Sequence, residues 1–449
     1  MKAIWKAAGT SVALSTFFLV VYGSCNLITS LRPHVGSCFF DWERHIPFVP
    51  ALIIPYMSID LFFIAAPFLA RSDRERRTLA LRIVSAISIA AVCFLLFPLR
   101  FGFERPAFDG PLGAIFSGFH ALDLPFNECP SLHIALLAIL AEIYLRHSKG
   151  PVRVFLAVWF LLIAFSPVPT YQHHVVDVLG GGVLAVVCLH LFRDEPLRQP
   201  FLPNRRVGLC YAAGAVVCAA LGFGWTPWSY VLLWPAGSLA LVASGYLFFG
   251  PGIFRKEGGR LPWTSVLLLG PMLVGHRLSL WYYARRCRDY DRVTDHFWIG
   301  RRLSSAEARR ARAEGVGAVV DLTAESSEKG PFRALSYRQF PTLDLTAPTP
   351  GQIDEAVAFI RQHAKVGIVY LHCKIGYSRT AVVAGAYLLA EGQAGSVEQA
   401  LETLRRARPS LIARPEAVTA LHAFRARMNG TREQDGGIVC GSETRRSRA

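Results

Sequence analysis

Up to about Tyr283 the chain is a succession of long apolar runs, and nothing else in it limits the possible folds so strongly. A run of roughly 17–25 apolar residues can cross a bilayer as a helix, which satisfies its own backbone groups there. Eight runs are read, the fourth and fifth a little short unless flanking residues are included: Thr10–Ile28, Ile46–Ala70, Leu79–Leu99, Leu132–Leu145, Val152–Ser166, Val175–Phe192, Val207–Phe223 and Trp228–Phe249. From Ala284 on, the composition is mixed and charged. The expectation is therefore a polytopic α-helical membrane bundle (residues 1–250, with a core over 46–192), followed by an interfacial or re-entrant linker (251–290). A C-terminal α/β domain (291–429) and a polar, disordered tail (430–449) complete the chain.

Only 18% of the residues are charged, against about a quarter in soluble domains, which fits the bundle. The net charge of +16 does not point to nucleic acid, because the basic residues form no patch with interleaved aromatics. They gather in "RSDRERRTLALR", "RHSKGPVR", "RDEPLRQPFLPNRR" and "FRKEGGR", after the second, fourth, sixth and eighth runs. These are alternate loops, so they share one side, which the positive-inside bias makes cytoplasmic. The chain is read as an integral protein of a bacterial-type inner (plasma) membrane, with its first run an uncleaved anchor. The apolar stretch Leu261–Tyr283 contains Gly270, Pro271, His276 and Arg277. It is read as re-entrant or interfacial, since a ninth crossing would carry the C-terminal domain outside. Ten scattered cysteines are no disulfide framework, although Cys38 and Cys129 fall on the same, non-cytoplasmic side.

In the C-terminal part, "HFWIG", "GAVVDLT" and "VGIVYL" read as strands. Ser304 with Glu307 and Thr349 with Gln352 have the spacing of helix capping boxes. After the third strand comes "HCKIGYSRT". With Cys373 closing the strand and Arg379 opening a helix, the backbone N–H groups of Lys374, Ile375, Gly376, Tyr377 and Ser378 converge in front of the helix N-terminus. Such a turn binds a tetrahedral dianion and stabilises a thiolate. Arg379 can grip two phosphoryl oxygens at once. A thiolate attacking phosphorus also needs a proton donor for the leaving oxygen. Asp344 is the candidate, with Asp321 and Asp354 as rivals.

His372-Cys373, five residues, then Arg379-Thr380 is the signature of the cysteine-dependent protein tyrosine phosphatases. Together with "DRVTDHFWIG" and "LDLTAPT", residues from about Asp291 to Asn429 resemble the dual-specificity branch, nearest the part containing the mitochondrial phosphatidylglycerophosphate phosphatase. The resemblance implies Cys373 as nucleophile, Arg379 as phosphate ligand, Asp344 as general acid, Thr380 assisting release of the thiolate and His372 ordering the loop. Lys374 within the loop suits an acidic phospholipid or inositide.

The apolar part carries ionisable groups at membrane level, which usually have a function there. These are Arg100 and Arg105, then Ser131 and His133, then His173, His174 and Asp177. By loop parity all lie on the non-cytoplasmic side. Asp177, one turn after His173, can hold one imidazole nitrogen and sharpen the other as a nucleophile. His133 can protonate the leaving group, while Arg100, Arg105 and Ser131 can hold phosphate oxygens. The order Arg105-Pro106, Pro130-Ser131-Leu132-His133 and His173 with Asp177 resembles the type-2 phosphatidic acid phosphatase superfamily, especially its inositol phosphorylceramide synthase-like branch. Pro98, Leu132 and Pro167 depart from that superfamily's motifs.

The chain is thus expected to be a phosphoric monoester hydrolase without metal or cofactor, acting on a phospholipid or phosphoprotein through a cysteinyl-phosphate. Its membrane part is expected to act as a lipid phosphatase or phosphotransferase through phosphohistidine. The alternative is an inactive anchor or lipid sensor carrying a single protein phosphatase. A transporter is disfavoured because no inverted repeat is visible.

Overall fold

The computed structural model describes residues 1–106, 110–224 and 227–440. The chain forms two compact units, Met1–Glu195 and Pro196–Ala449.

The first unit is all helical: α1 (Lys2–Ser30), α2 (Ile53–Leu69), α3 (Asp73–Leu96), α4 (Gly110–Leu122), α5 (Leu132–His147), α6 (Gly150–Phe165) and α7 (Val175–Leu191). Its core runs through Leu14, Ile83, Ile87, Phe94, Ile139, Leu140, Ile163, Leu184 and Cys188. Leu19, Leu61, Val92, Leu161 and Leu179 point outward instead, so the bundle is apolar on both its inner and outer surfaces. Polar contacts gather at its two ends. At one end Lys6 pairs with Asp73, Arg82 with Glu142 and His147 with Glu75. At the other, Asn26 bonds Asp123 and His174 bonds Glu43. The loops after the second and fourth runs lie at the first end. The sequence motifs around Ser131 and His173 lie at the second, as loop parity required.

The second unit opens with α8 (Arg205–Gly224) and α9 (Leu233–Ser244), packed as a hairpin, then α10 (Trp263–Leu268) and α11 (Gly270–Ala284). A five-stranded sheet follows: β1 (Tyr290–Thr294), β2 (Phe297–Gly300), β3 (Val316–Thr323), β4 (Ser336–Thr342) and β5 (Ile368–His372). The strand order is β1-β2-β5-β3-β4, antiparallel only between β1 and β2. Strand alternation sends Val369 and Leu371 of β5 to one face and Tyr370 to the other. The first face is covered by α14 (Pro350–His363), α15 (Ser378–Ala390), α16 (Val397–Ala407) and α17 (Pro415–Cys440). The second is covered by α12 (Ser305–Ala313) and the short α13 (Gly330–Arg333). Both capping boxes form, at Ser304/Glu307 and Thr349/Gln352. Helix α17 continues past Asn429 to Cys440, and the rest of the expected disordered tail, 441–449, lies outside the described residues.

Five helices among the described residues, not eight, are long and apolar enough to cross a membrane: Lys2–Ser30, Pro50–Leu69, Asp73–Leu96, Arg205–Gly224 and Ser229–Phe254. The other three runs form α5, α6 and α7, of 16, 16 and 17 residues. Ser148 and Lys149 separate α5 from α6, and turns follow Phe165. Leu261–Tyr283 breaks at Leu269 into helices of 6 and 15 residues, each below the ~20 needed for a crossing. Cys38 and Cys129 are free thiols.

The expected linker is not a spacer. Lys256, from "FRKEGGR", is buried at the C-terminal end of the sheet, its Nζ 2.5 Å from Asp321 Oδ2 and 2.7 Å from the Thr323 carbonyl. Val242, Tyr246, Leu269 and Leu273 of the apolar segments share one core with Ala324 and Leu343, which flank the loops after β3 and β4.

Candidate active site

Cys373 follows the last residue of β5, and α15 begins five residues later. The β5 strand is central and fully enclosed, which fixes where the thiol emerges. Gly376 has φ +79, and a Cβ there would meet the Gly300 carbonyl oxygen at 2.4 Å. Only glycine fits that turn. The Gly376 N–H donates to Cys373 Sγ at 3.3 Å. Burial pushes the thiol up, but the Arg379 guanidinium, the Thr380 hydroxyl and the Tyr377 amide more than offset it, leaving Cys373 below the ordinary thiol value.

Arg379 is 2% exposed and tightly held. Its two terminal nitrogens reach Glu325 Oε2 and Oε1 at 3.1 and 2.8 Å, and Nη1 also donates to the Thr342 carbonyl at 2.8 Å. This bidentate pair fixes the plane of the guanidinium beside the thiol. Burial works against the Glu325 carboxylate, but Arg379 holds it well below the usual carboxylate range. His372 accepts a similar role under the loop: Nδ1 faces the Cys373 carbonyl at 3.2 Å and Nε2 lies 2.9 Å from Glu328. Burial opposes its charge, but Asp321 and Glu328 raise it above the ordinary imidazole value.

Of the three candidate acids, Asp344 alone faces the thiol loop. It lies in the loop after β4, with Oδ1 3.2 Å from Arg379 Nη2 and Oδ2 3.8 Å from Lys374 Nζ. Asp321 is consumed by Lys256 and by the Tyr337 hydroxyl at 2.7 Å. Asp354 is on the exposed face of α14, 3.0 Å from Arg427. Two residues from before the sheet domain hold the Asp344 loop: Tyr246, following α9, donates its hydroxyl to the Asp344 carbonyl at 2.8 Å, and Asn204, in the basic loop before α8, donates to the Leu345 carbonyl at 2.9 Å. Leu345 has a φ of 56, a left-handed conformation uncommon for a side chain of its size.

Sequence reasoning missed Glu325, Glu328, Lys256 and Arg408. Arg408 pins the thiol loop by donating to the Ile375 carbonyl at 3.0 Å while paired with Asp291 at 2.6 Å. None of these four sits in a motif, and each partner is far away in sequence.

In the helical unit, His173 and His133 line one cavity of about 360 Å³, bounded by Tyr56, Leu136 and Phe119. His173 Nδ1 lies 3.1 Å from Glu128 and 3.9 Å from Asp177, so the nearer carboxylate is one the sequence did not single out. Asp177 instead accepts from the His174 amide at 2.8 Å. His174 is a satisfied core residue: Nδ1 meets Glu43 at 3.0 Å and Nε2 accepts from the Gly102 N–H at 3.0 Å. His133 stacks on Tyr56 at 4.2 Å. The phosphate contacts expected there are assembled only in part. Ser131 caps α5 and Arg100 is exposed, whereas Arg105, whose Nε donates to the Tyr171 carbonyl at 3.0 Å, stands close enough for its charge to act on Glu128, Asp123 and His173.

Among the described residues, three groups bring metal-ligating atoms within 4.8 Å of one another: Glu128/His173/Asp177, His276/Glu325/Asp344 and Asp321/Glu328/His372. In the last two, the carboxylates already balance Arg379, Lys256 and His372.

Comparison with known proteins agrees with the cysteine site. The dual specificity phosphatase catalytic domain is matched over residues 299–427. A phosphatidylglycerophosphate phosphatase of Arabidopsis thaliana is 29% identical over 174 residues, covering 37% of this chain and 73% of its own length. The phosphatidylglycerophosphatase and protein-tyrosine phosphatase 1 of Mus musculus is 34% identical over 132 residues, 27% of this chain and 68% of that one. The crystal structure of PTPMT1 is 23% identical with a TM-score of 0.30, covering 32% of this chain and 99% of that one. The chain is a phosphatase, and through its C-terminal domain it belongs to the dual specificity phosphatase family.

Proposed function

We propose that the chain is a membrane-embedded phosphatase whose cysteine site removes the terminal phosphate of a phospholipid. The observation that carries this reading is the shared core of the acid loop and the apolar segments. Leu343 and Ala324 pack with Val242, Leu269 and Leu273, and Tyr246 bonds the Asp344 carbonyl. A site built onto apolar helices opens where lipid headgroups lie. The relatives named above as phosphatidylglycerophosphate phosphatases support a lipid phosphomonoester. The basic loops assign this site to the cytoplasmic surface.

In the proposed reaction the Cys373 thiolate attacks phosphorus while the loop amides and Arg379 hold the equatorial oxygens. The P–O bond to the lipid breaks, and Asp344 gives its proton to the leaving alkoxide. Water, deprotonated by the resulting Asp344 carboxylate, cleaves the S–P bond, releases phosphate and restores the thiolate.

The test is turnover by purified full-length protein in mixed micelles. Phosphatidylglycerophosphate should be dephosphorylated with a kcat/KM well above that for a phosphotyrosyl peptide, and not at all by Cys373→Ser. A strong preference for the peptide would sink the lipid reading and leave the helices as an anchor.

A second reading concerns the helical unit: phosphoryl transfer through His173, oriented by Glu128, with His133 as acid. It rests on the two histidines sharing one largely apolar cavity. Retention of lipid phosphotransfer by Cys373→Ser, and its loss on adding His173→Ala, would support it. Absence of any transfer in Cys373→Ser would leave the unit as an anchor or lipid sensor.

A further inference from the structure

Next to the cysteine loop lies a second cavity, of about 350 Å³, whose walls come from opposite kinds of chain. On one side are Arg302, Lys329 and Lys374 of the phosphatase domain; on the other, Arg277 of α11. Two carboxylates in the wall offset these four cations only in part, because each is also engaged with another group. Glu325 holds Arg379 through both oxygens, and Glu328 lies 2.9 Å from His372. Among the described residues no carboxylate stands within ion-pair distance of Arg277, Arg302 or Lys329, and that of Lys374 is Asp344 at 3.8 Å. Arg302 is fixed by donating to the Ser327 carbonyl at 3.2 Å. The neighbouring Arg302 charge, then burial and, more weakly, Arg277 push the Lys329 ammonium below its usual value, outweighing the opposing charge of Glu328.

Like charges held together in a half-enclosed, partly apolar cavity repel until an anion enters. The rest of the wall combines His276, Ser326 and Ser327 with an apolar stretch of Leu261, Val266, Leu273 and Leu280. The ligand is therefore an anion attached to an apolar body. Lys374 belongs both to this cavity and to the thiol loop, so that anion lies on the same molecule as the phosphate under attack.

We propose that the cavity is a second anion subsite, reading an internal phosphodiester in the headgroup of a lipid whose terminal phosphate sits over Cys373, with Arg277 as its specificity-determining residue. This rests on the lipid reading given above. It also assigns part of the selectivity to α11, which lies outside the matched phosphatase domain.

The test compares full-length wild type with Arg277→Ala and Arg277→Lys in mixed micelles on two lipids. Phosphatidylglycerophosphate carries both a monoester and a diester; phosphatidic acid carries the monoester alone. Loss of one charge-assisted contact is expected to lower the diester-to-monoester ratio of kcat/KM by about tenfold in Arg277→Ala, mainly through KM, with partial recovery in Arg277→Lys. An unaltered ratio overturns the subsite while the lipid reading stands. If Arg277→Ala instead relieves inhibition by inorganic phosphate and leaves the ratio intact, the cavity takes free phosphate and the headgroup assignment fails. If wild type turns over a phosphotyrosyl peptide but neither lipid, the lipid reading fails and the subsite with it.

Discussion

The two candidate sites place a nucleophile in similar local settings, a loop feeding a helix N-terminus, and then surround it with opposite charge. Around Cys373 stand Arg379 and Lys374, with Arg302 and Lys329 in the adjoining cavity. Around His173 stand Glu128 and Asp177, with Asp60 and Asp123 lining the same cavity, and Arg105, one nitrogen of which is given to a backbone carbonyl, is among the described residues the single cation acting on the group. A phosphate dianion needs donors and cations that are in place before it arrives. The cysteine site has them already; the histidine site offers its substrate mostly carboxylates. Motif order alone made the two look equivalent, and their electrostatic surroundings separate them.

The sharpest way to break this contrast is to remove the nucleophiles. Cys373→Ser is expected to lower phosphomonoesterase activity by about 10⁴-fold or more. An equal loss in His173→Ala, measured on a soluble aryl phosphate, would show that the sites work as one. Next in size is Asp344→Asn, which should cost about 10²–10⁴-fold in kcat for an alkyl phosphate and much less for an aryl phosphate with a good leaving group. Equal losses on both would remove Asp344 from the role of acid.

Glu325→Gln tests the cation side. It leaves the buried Arg379 short of its partner, so unfolding should become easier by about 3–5 kcal/mol, read by denaturant titration. Because Arg379 holds Glu325 below the usual carboxylate range, the wild-type pair stabilises above that range and its contribution fades as pH falls. The gap between wild type and Glu325→Gln should accordingly narrow in acid. A gap independent of pH would mean that the pair is not ionic.

The thiol itself gives a smaller but cleaner reading. Alkylation of Cys373 against pH should show a midpoint below the ordinary thiol value. Arg379→Ala withdraws a positive charge, disfavours the thiolate and should raise that midpoint by about 1–3 pH units. A fixed midpoint would transfer the effect to the loop amides. Smallest is Tyr246→Phe, which deletes one hydrogen bond to the acid loop. A loss of up to about tenfold in kcat on alkyl phosphates, with the aryl phosphate rate less affected, would tie the apolar segment to acid catalysis.

The cysteine site was readable in the sequence because its chemistry is local. Cys373, Gly376 and Arg379 occupy one strand–loop–helix turn, and nothing distant is needed to bring them together. Likewise Ser304/Glu307 and Thr349/Gln352 announce their helices through contacts three residues apart. The membrane count was less secure. Hydropathy found the three stretches of α5, α6 and α7 nearly to the residue, but at 16, 16 and 17 residues these helices stay below the ~20 of a full crossing.

By itself, then, the sequence determined the division into apolar helices and a cysteine phosphatase domain, and it singled out Cys373, Arg379 and Asp344 as the candidate nucleophile, phosphate ligand and acid. Periodicity and short-range spacing carry that information. Only the tertiary structure decided which carboxylates serve which cations: Glu325 for Arg379, Lys256 for Asp321, and Glu128 rather than Asp177 nearest His173. It likewise brought α11, expected in a linker, and Tyr246, expected in the eighth apolar run, against the loops that carry Lys374 and Asp344. Pairings across 54, 65 and 45 residues leave no trace in local pattern. A buried charge settles on the partner that folding brings within reach.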